Sequence, residues 1–223
     1  MILNTLSQTE KLAYSFLILI FGLGIYYANT NLTYFDEVYT KEDGFVEYGT
    51  SILLLCSSIL LFSRLFKLFK FNPILWKVGI FLMATVFFFG AGEEISWGQR
   101  IFNVESSAYF LENNAQGETN LHNMVVDGKK INKIIFSQLL TLILVLYLII
   151  TPILYRKFDI IKKLATLFAV PIVKWHHTIA FLIGTGLLTF MPSSRKWELY
   201  ELAFGVIFFL IFLRPLNKEI YEA

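Results

Sequence analysis

Cysteine occurs once, at Cys56, which excludes a disulfide within the chain and leaves a thiol in apolar surroundings. Charged residues make up 16% of the chain, against about 25% in soluble domains. The formal net charge of +2 is too small to mark a nucleic-acid partner. Histidine occurs three times and proline five. No glycine-rich phosphate loop, Cys-x-x-Cys pair or His-Glu-x-x-His helix is present. There is no internal repeat and no low-complexity stretch. Met1 to Glu10 is polar, and no clear small-residue cleavage site follows the first apolar run, so that run reads as a retained helix.

What fills the chain is apolar. Hydrophobic residues reach 56%, with 23 Phe and 11 Tyr, where soluble domains hold about 45–50%. A helix of about 20 apolar residues crosses a hydrocarbon core of about 30 Å. The expected fold is all-α: a polytopic integral membrane bundle of about six transmembrane helices in one domain. The spans fall at about 12–28, 45–66, 74–91, 134–154, 175–191 and 197–213, with an outer loop at 92–133. Residues 164–173 read either as a re-entrant or interfacial piece or as the first half of the fifth span. Most lysines and arginines, among them Arg64, Lys67, Lys70, Arg156, Lys157, Lys162, Lys163 and Arg214, fall on the side of the termini. The basic excess places both termini in the cytoplasm and the chain in the plasma membrane. Acidic residues gather on the opposite side. The partner this composition requires is a lipid bilayer.

One stretch organises the rest: Gly90 to Arg100, G-A-G-E-E-I-S-W-G-Q-R, where the third apolar run ends. Two adjacent carboxylates there cost free energy near hydrocarbon, so their presence points to use. Four stretches bring polar groups to this outer side: Asp43 and Glu47; Glu93 to Arg100; Asn120 to Asp127; and Glu198 with Glu201. Clustered carboxylates in low dielectric serve as an acid or base, or hold a divalent metal with histidine. Glu93, Glu94, His122 and Glu201 are the candidate catalytic residues. Arg100, Gln99, Trp97 and Glu47 are the candidates for substrate binding. The metal, if any, is left unknown. The plainer readings are an ion pair between Glu93 and Arg100, an aromatic belt at Trp97, and a hydrogen-bonding loop histidine at His122. A second histidine stretch, Lys174-Trp175-His176-His177, is set aside as a chelating pair, because neighbours on a helix diverge by about 100°.

The stretches G-E-E-I-S-W-G-Q-R (Gly92 to Arg100) and E-T-N-L-H-N (Glu118 to Asn123) resemble those of bacterial polytopic membrane proteins without an assigned activity. The resemblance implies an inner-membrane location and no particular reaction. Membrane hydrolases of the alkaline ceramidase and adiponectin-receptor type are also similar in carrying Ser, Asp and His near helix ends. They have seven spans and a His-x-x-x-His pair, from which adjacent His176 and His177 depart. The functional expectation is a membrane-embedded hydrolase or transferase with an outward-facing carboxylate and histidine pocket for a lipid-linked or amphiphilic substrate. The alternatives are a transporter or channel with an acidic outer vestibule, or a non-catalytic partner of another membrane protein.

Overall fold

The computed structural model describes residues 6–121, 123–126, 129–130 and 139–222. Seven helices carry the architecture: α1 (Gln8–Thr30), α2 (Phe45–Leu68), α3 (Ile74–Glu94), α4 (Leu140–Lys157), α5 (Asp159–Leu167), α6 (Trp175–Leu187) and α7 (Lys196–Leu213). The first four are long and apolar enough to cross a membrane. Helix α6 has 13 residues and is extended by a 3-10 turn, Leu188–Phe190, while α7 has 18 and carries Lys196, Glu198 and Glu201. These two helices coincide with the fifth and sixth expected spans. The start of the fourth expected span, at residues 134–138, lies outside the described residues.

Local sequence explains the helix ends. Ser7 and Glu10 form a reciprocal capping box at the start of α1, with Ser7 N donating to Glu10 Oε2 at 2.7 Å and Glu10 N to Ser7 Oγ at 3.2 Å. Pro73 precedes α3, where its missing N–H is one that no helix would use. Within α4 the turn Leu146–Ile150 widens to π-helix just before Pro152, absorbing the hydrogen bond that proline cannot make.

Helix α7 is the centre. Leu199, Leu202, Val206, Ile207, Leu210 and Ile211 form a broad buried face, the mark of a helix packed against several others. It packs against α2, α6 and α1, and α2 packs on its far side against α3. Two hydroxyls seven residues apart tie α2 to α3: Ser51 Oγ donates to Ala91 O and Ser58 Oγ to Ala84 O, both at 2.8 Å. Without water between helices, such bonds and close packing hold a bundle together.

The open choice at residues 164–173 is resolved here. Helix α5 ends at Leu167, and an extended segment, 170–174, separates it from α6. Ala169 takes a left-handed φ of 54° to make the reversal. Extended backbone in an apolar bundle needs partners for its polar groups. Asn217 supplies them: Oδ1 accepts from Ile172 N at 2.7 Å and Nδ2 donates to Val170 O at 3.0 Å. Leu216 N donates to Ile172 O, Tyr147 OH to Pro171 O and Tyr221 OH to Ala169 O, at 2.8, 2.8 and 2.6 Å. Burial pushes the Tyr221 phenol well up, so it remains a donor. On α5, Ile160 and Leu164 are exposed beside Lys162 and Lys163, the pattern of a helix lying along an interface.

Gly79 on α3 faces this segment so closely that a Cβ there would sit 2.0 Å from Phe168 O. Backbone cannot move aside as a side chain does. Gly79→Ala is therefore expected to destabilise the protein by about 1–3 kcal/mol, the usual cost of overpacking. Gly22→Ala is the control, because a Cβ there meets nothing within 4 Å. Melting curves in detergent compare the two, and equal Tm values would refute the close approach.

Candidate functional site

One polar network forms where α3 ends. After Glu94 the chain turns through three left-handed residues, Ser96, Trp97 and Gly98, with φ of 47°, 56° and 76°. Such backbone costs about 1–3 kcal/mol per non-glycine residue and persists only where its surroundings impose it. Trp97 folds back onto α3, and Gly92 makes room: a Cβ there would lie 2.8 Å from the indole ring.

The amide-rich loop returns over the helix end and pins this turn. Glu118 Oε2 accepts from Ser96 Oγ at 2.7 Å and from Asn120 Nδ2 at 2.9 Å. Glu118 Oε1 pairs with Arg100 Nη1 at 2.5 Å. Arg100 also reaches Asp43 at 2.7 Å and Glu47 at 3.5 Å. Gln99 Oε1 accepts from Thr119 N at 2.7 Å. Glu93 is buried; its Oε1 accepts from Trp97 Nε1 at 2.8 Å and its Oε2 from Leu121 N at 2.6 Å.

Of the residues singled out by sequence, Glu47, Glu93, Trp97, Gln99 and Arg100 thus meet in one hydrogen-bonded shell. Glu93 and Gln99 grip backbone and indole groups, and Arg100 joins three carboxylates from separate stretches. Glu201 is exposed on α7, within electrostatic range of Glu94, Glu198 and Glu47. His122 and Asp127 lie outside the described residues.

At the other end of the bundle the sequence reading is corrected. His176 and His177 open α6 and do converge, with ring centroids 4.2 Å apart. The third group is Glu10, more than 160 residues earlier in the chain. Its capping box commits Oε2 to Ser7 and leaves Oε1 facing α6. That oxygen lies 3.1 Å from His176 Nε2, 3.5 Å from Lys174 Nζ and 3.9 Å from His177 Nε2. One ligand atom from each of Glu10, His176 and His177 falls within a 4.8 Å group. The expected 100° divergence of the two rings is overcome by Tyr14, whose OH is 2.6 Å from His177 Nδ1 and whose ring edge packs on His176.

His177 is entirely buried, and its Nε2 is the one buried side-chain nitrogen or oxygen without a hydrogen-bond partner among the described residues. In either tautomer this atom is unsatisfied, at a cost of about 1–3 kcal/mol. If Tyr14 donates to Nδ1, the Nε2 proton has no acceptor in reach. If Nδ1 donates to Tyr14, a bare lone pair faces the carboxylate. A divalent cation removes this conflict. Two imidazole nitrogens and one carboxylate form the set used by catalytic zinc and by non-haem iron, both of which leave coordination positions open. Tyr14 then plays the part of the outer partner that fixes a ligand histidine's orientation.

A sequence signal for half of this site existed in Ser7-x-x-Glu10, which places Glu10 at a helix start. Nothing local linked it to α6. Comparison with protein-family models, with curated proteins and with solved structures finds no match to this chain.

Proposed function

We propose that this chain is a multi-pass membrane protein that binds one divalent transition metal through Glu10, His176 and His177 and uses it in hydrolysis or group transfer on an amphiphilic substrate. The observation that carries the reading is the orphaned Nε2 of buried His177, aimed at the same carboxylate oxygen as His176 Nε2. A bound metal of this ligand set polarises an oxygen of the substrate or lowers the pKa of its own water. The residues around it hold the geometry: Ser7 orients Glu10, Tyr14 orients His177, and Lys174 balances the carboxylate from the solvent side. The basic excess at this end supports a cytoplasmic location for it. The candidate metal centre therefore moves to the face opposite the one the sequence favoured.

Metal content decides this. The purified protein, stripped with EDTA and dialysed against micromolar zinc, manganese or iron(II), is expected to retain one equivalent of one of them. His177→Ala and Glu10→Gln are each expected to weaken retention by at least about tenfold, the scale of losing a metal's supporting interactions. Wild type retaining no metal, or variants retaining as much as wild type, would falsify the assignment.

A second reading rests on the other end, where Glu47, Glu94 and Glu198 surround Glu201 within electrostatic range. That gathering of acids suits the mouth of a cation or proton path. Flux into liposomes that stops with Glu201→Gln supports it. Liposomes as tight as protein-free ones remove it.

A further inference from the structure

Two open spaces adjoin at the Glu10 end. The first is an apolar groove of about 480 Å³ between α1, α2 and α7, lined by residues that include Leu12, Phe16, Phe45, Ile52, Val206 and Leu210. It runs along much of the bundle, because Phe45 opens α2 at the Arg100 end while Thr9, at the start of α1, lines the opposite end. The second is a cavity of about 390 Å³ lined by Arg64, Lys174, Arg214 and Lys218, with Tyr221 and Glu222. The two are continuous in the chain. Leu210 lines the groove, and Leu213, one turn or about 4.5 Å further along α7, lines the cavity. Thr9 lines the groove, and its neighbour Glu10 holds Lys174, which lines the cavity.

The charges select the occupant. The cavity brings four cations and one carboxylate together, and that carboxylate, Glu222, is paired with Lys218 at 3.1 Å. Arg64 is held in place by the carbonyls of Phe212 and Leu213 and by the Tyr221 ring, 4.2 Å from its guanidinium carbon. None of the residues that line the groove is charged, so the cavity end alone draws a negative headgroup. A molecule with a long apolar chain and a negative headgroup therefore fits in one direction only.

We propose that groove and cavity together bind one anionic phospholipid, its chain along α1, α2 and α7 and its phosphate among Arg64, Lys174, Arg214 and Lys218. This goes beyond the metal reading and does not depend on it, since none of the four cations belongs to the ligand set. If both hold, the lipid phosphate and the metal centre share Lys174 as a neighbour, and an anionic lipid becomes the substrate class.

The test is native mass spectrometry of the delipidated full chain titrated with dioleoyl phosphatidylglycerol, dioleoyl phosphatidylcholine or inorganic phosphate. Phosphatidylglycerol is expected to bind about tenfold more tightly than phosphatidylcholine, as a few basic groups at a membrane surface provide. The double variant Arg214→Ala/Lys218→Ala, at exposed positions, is expected to erase that preference and to leave metal content unchanged. Ala13→Phe, which fills the groove without altering charge, is expected to weaken both lipids. Should Ala13→Phe fail to fold, Gly49→Leu fills the same groove. Equal affinity for the two lipids, an undiminished preference in the double variant, or inorganic phosphate displacing the lipid at equal concentration each overturns the proposal.

Discussion

Asn217→Leu is expected to lower stability by roughly 2–6 kcal/mol, the cost of leaving two polar groups without partners at about 1–3 kcal/mol each. The side chain is 1% exposed, and both ends of its amide serve the extended segment that links α5 to α6. Leucine keeps the branch at Cγ and supplies neither donor nor acceptor. Ile172 N–H and Val170 C=O then face apolar side chains. For a chain of this length the loss corresponds to a Tm lower by roughly 5–15 °C. The effect reaches beyond stability, because the segment delivers Lys174, His176 and His177 to Glu10. Metal retention is expected to fall with the fold even though no ligand is touched. A melting curve superimposable on wild type would show that the segment does not need this amide.

Glu118→Ala is expected to release the loop that follows α3. Ser96 Oγ and Asn120 Nδ2, both on residues 1% exposed, each lose an acceptor, and Arg100 loses one of three carboxylates. The Arg100 side chain is 31% exposed, so solvent screens its share. Asn120 Nδ2 keeps Ser96 Oγ as an acceptor at 2.9 Å, so the hydroxyl carries most of the effect, about 1–3 kcal/mol. The left-handed turn at Ser96 and Trp97 then has less to impose it. Hydrogen exchange between Gly92 and Leu121 is expected to rise sharply while α1, α2 and α7 stay protected. Protection unchanged in that loop would mean that Glu118 is not its clasp. Glu118→Gln keeps one acceptor oxygen and is expected to show a smaller rise.

These two networks differ in a way that bears on function. The shell around Glu93, Glu118 and Arg100 satisfies its buried groups with one another, which is what holding a loop requires. The Glu10 cluster leaves His177 Nε2 with nothing. Sequence reasoning gave more weight to the first because its residues lie close together in the chain and look costly near a membrane. Cost near hydrocarbon points equally to a structural clasp when every partner is supplied, and only coordinates reveal whether the partners are there.

The sequence by itself determined the all-α class, the apolar runs that become the four long helices, and the capping box at Ser7 and Glu10. These follow from partition into hydrocarbon and from hydrogen bonds spanning a few residues, so they are written in composition and short spacing. Tertiary structure alone decided that α5 and α6 are separate helices, that Asn217 sustains the stretch between them, and that Glu10 meets His176 and His177. Each of these depends on one side chain satisfying a group far along the chain, and that pairing is set by how helices pack around α7 rather than by any local pattern.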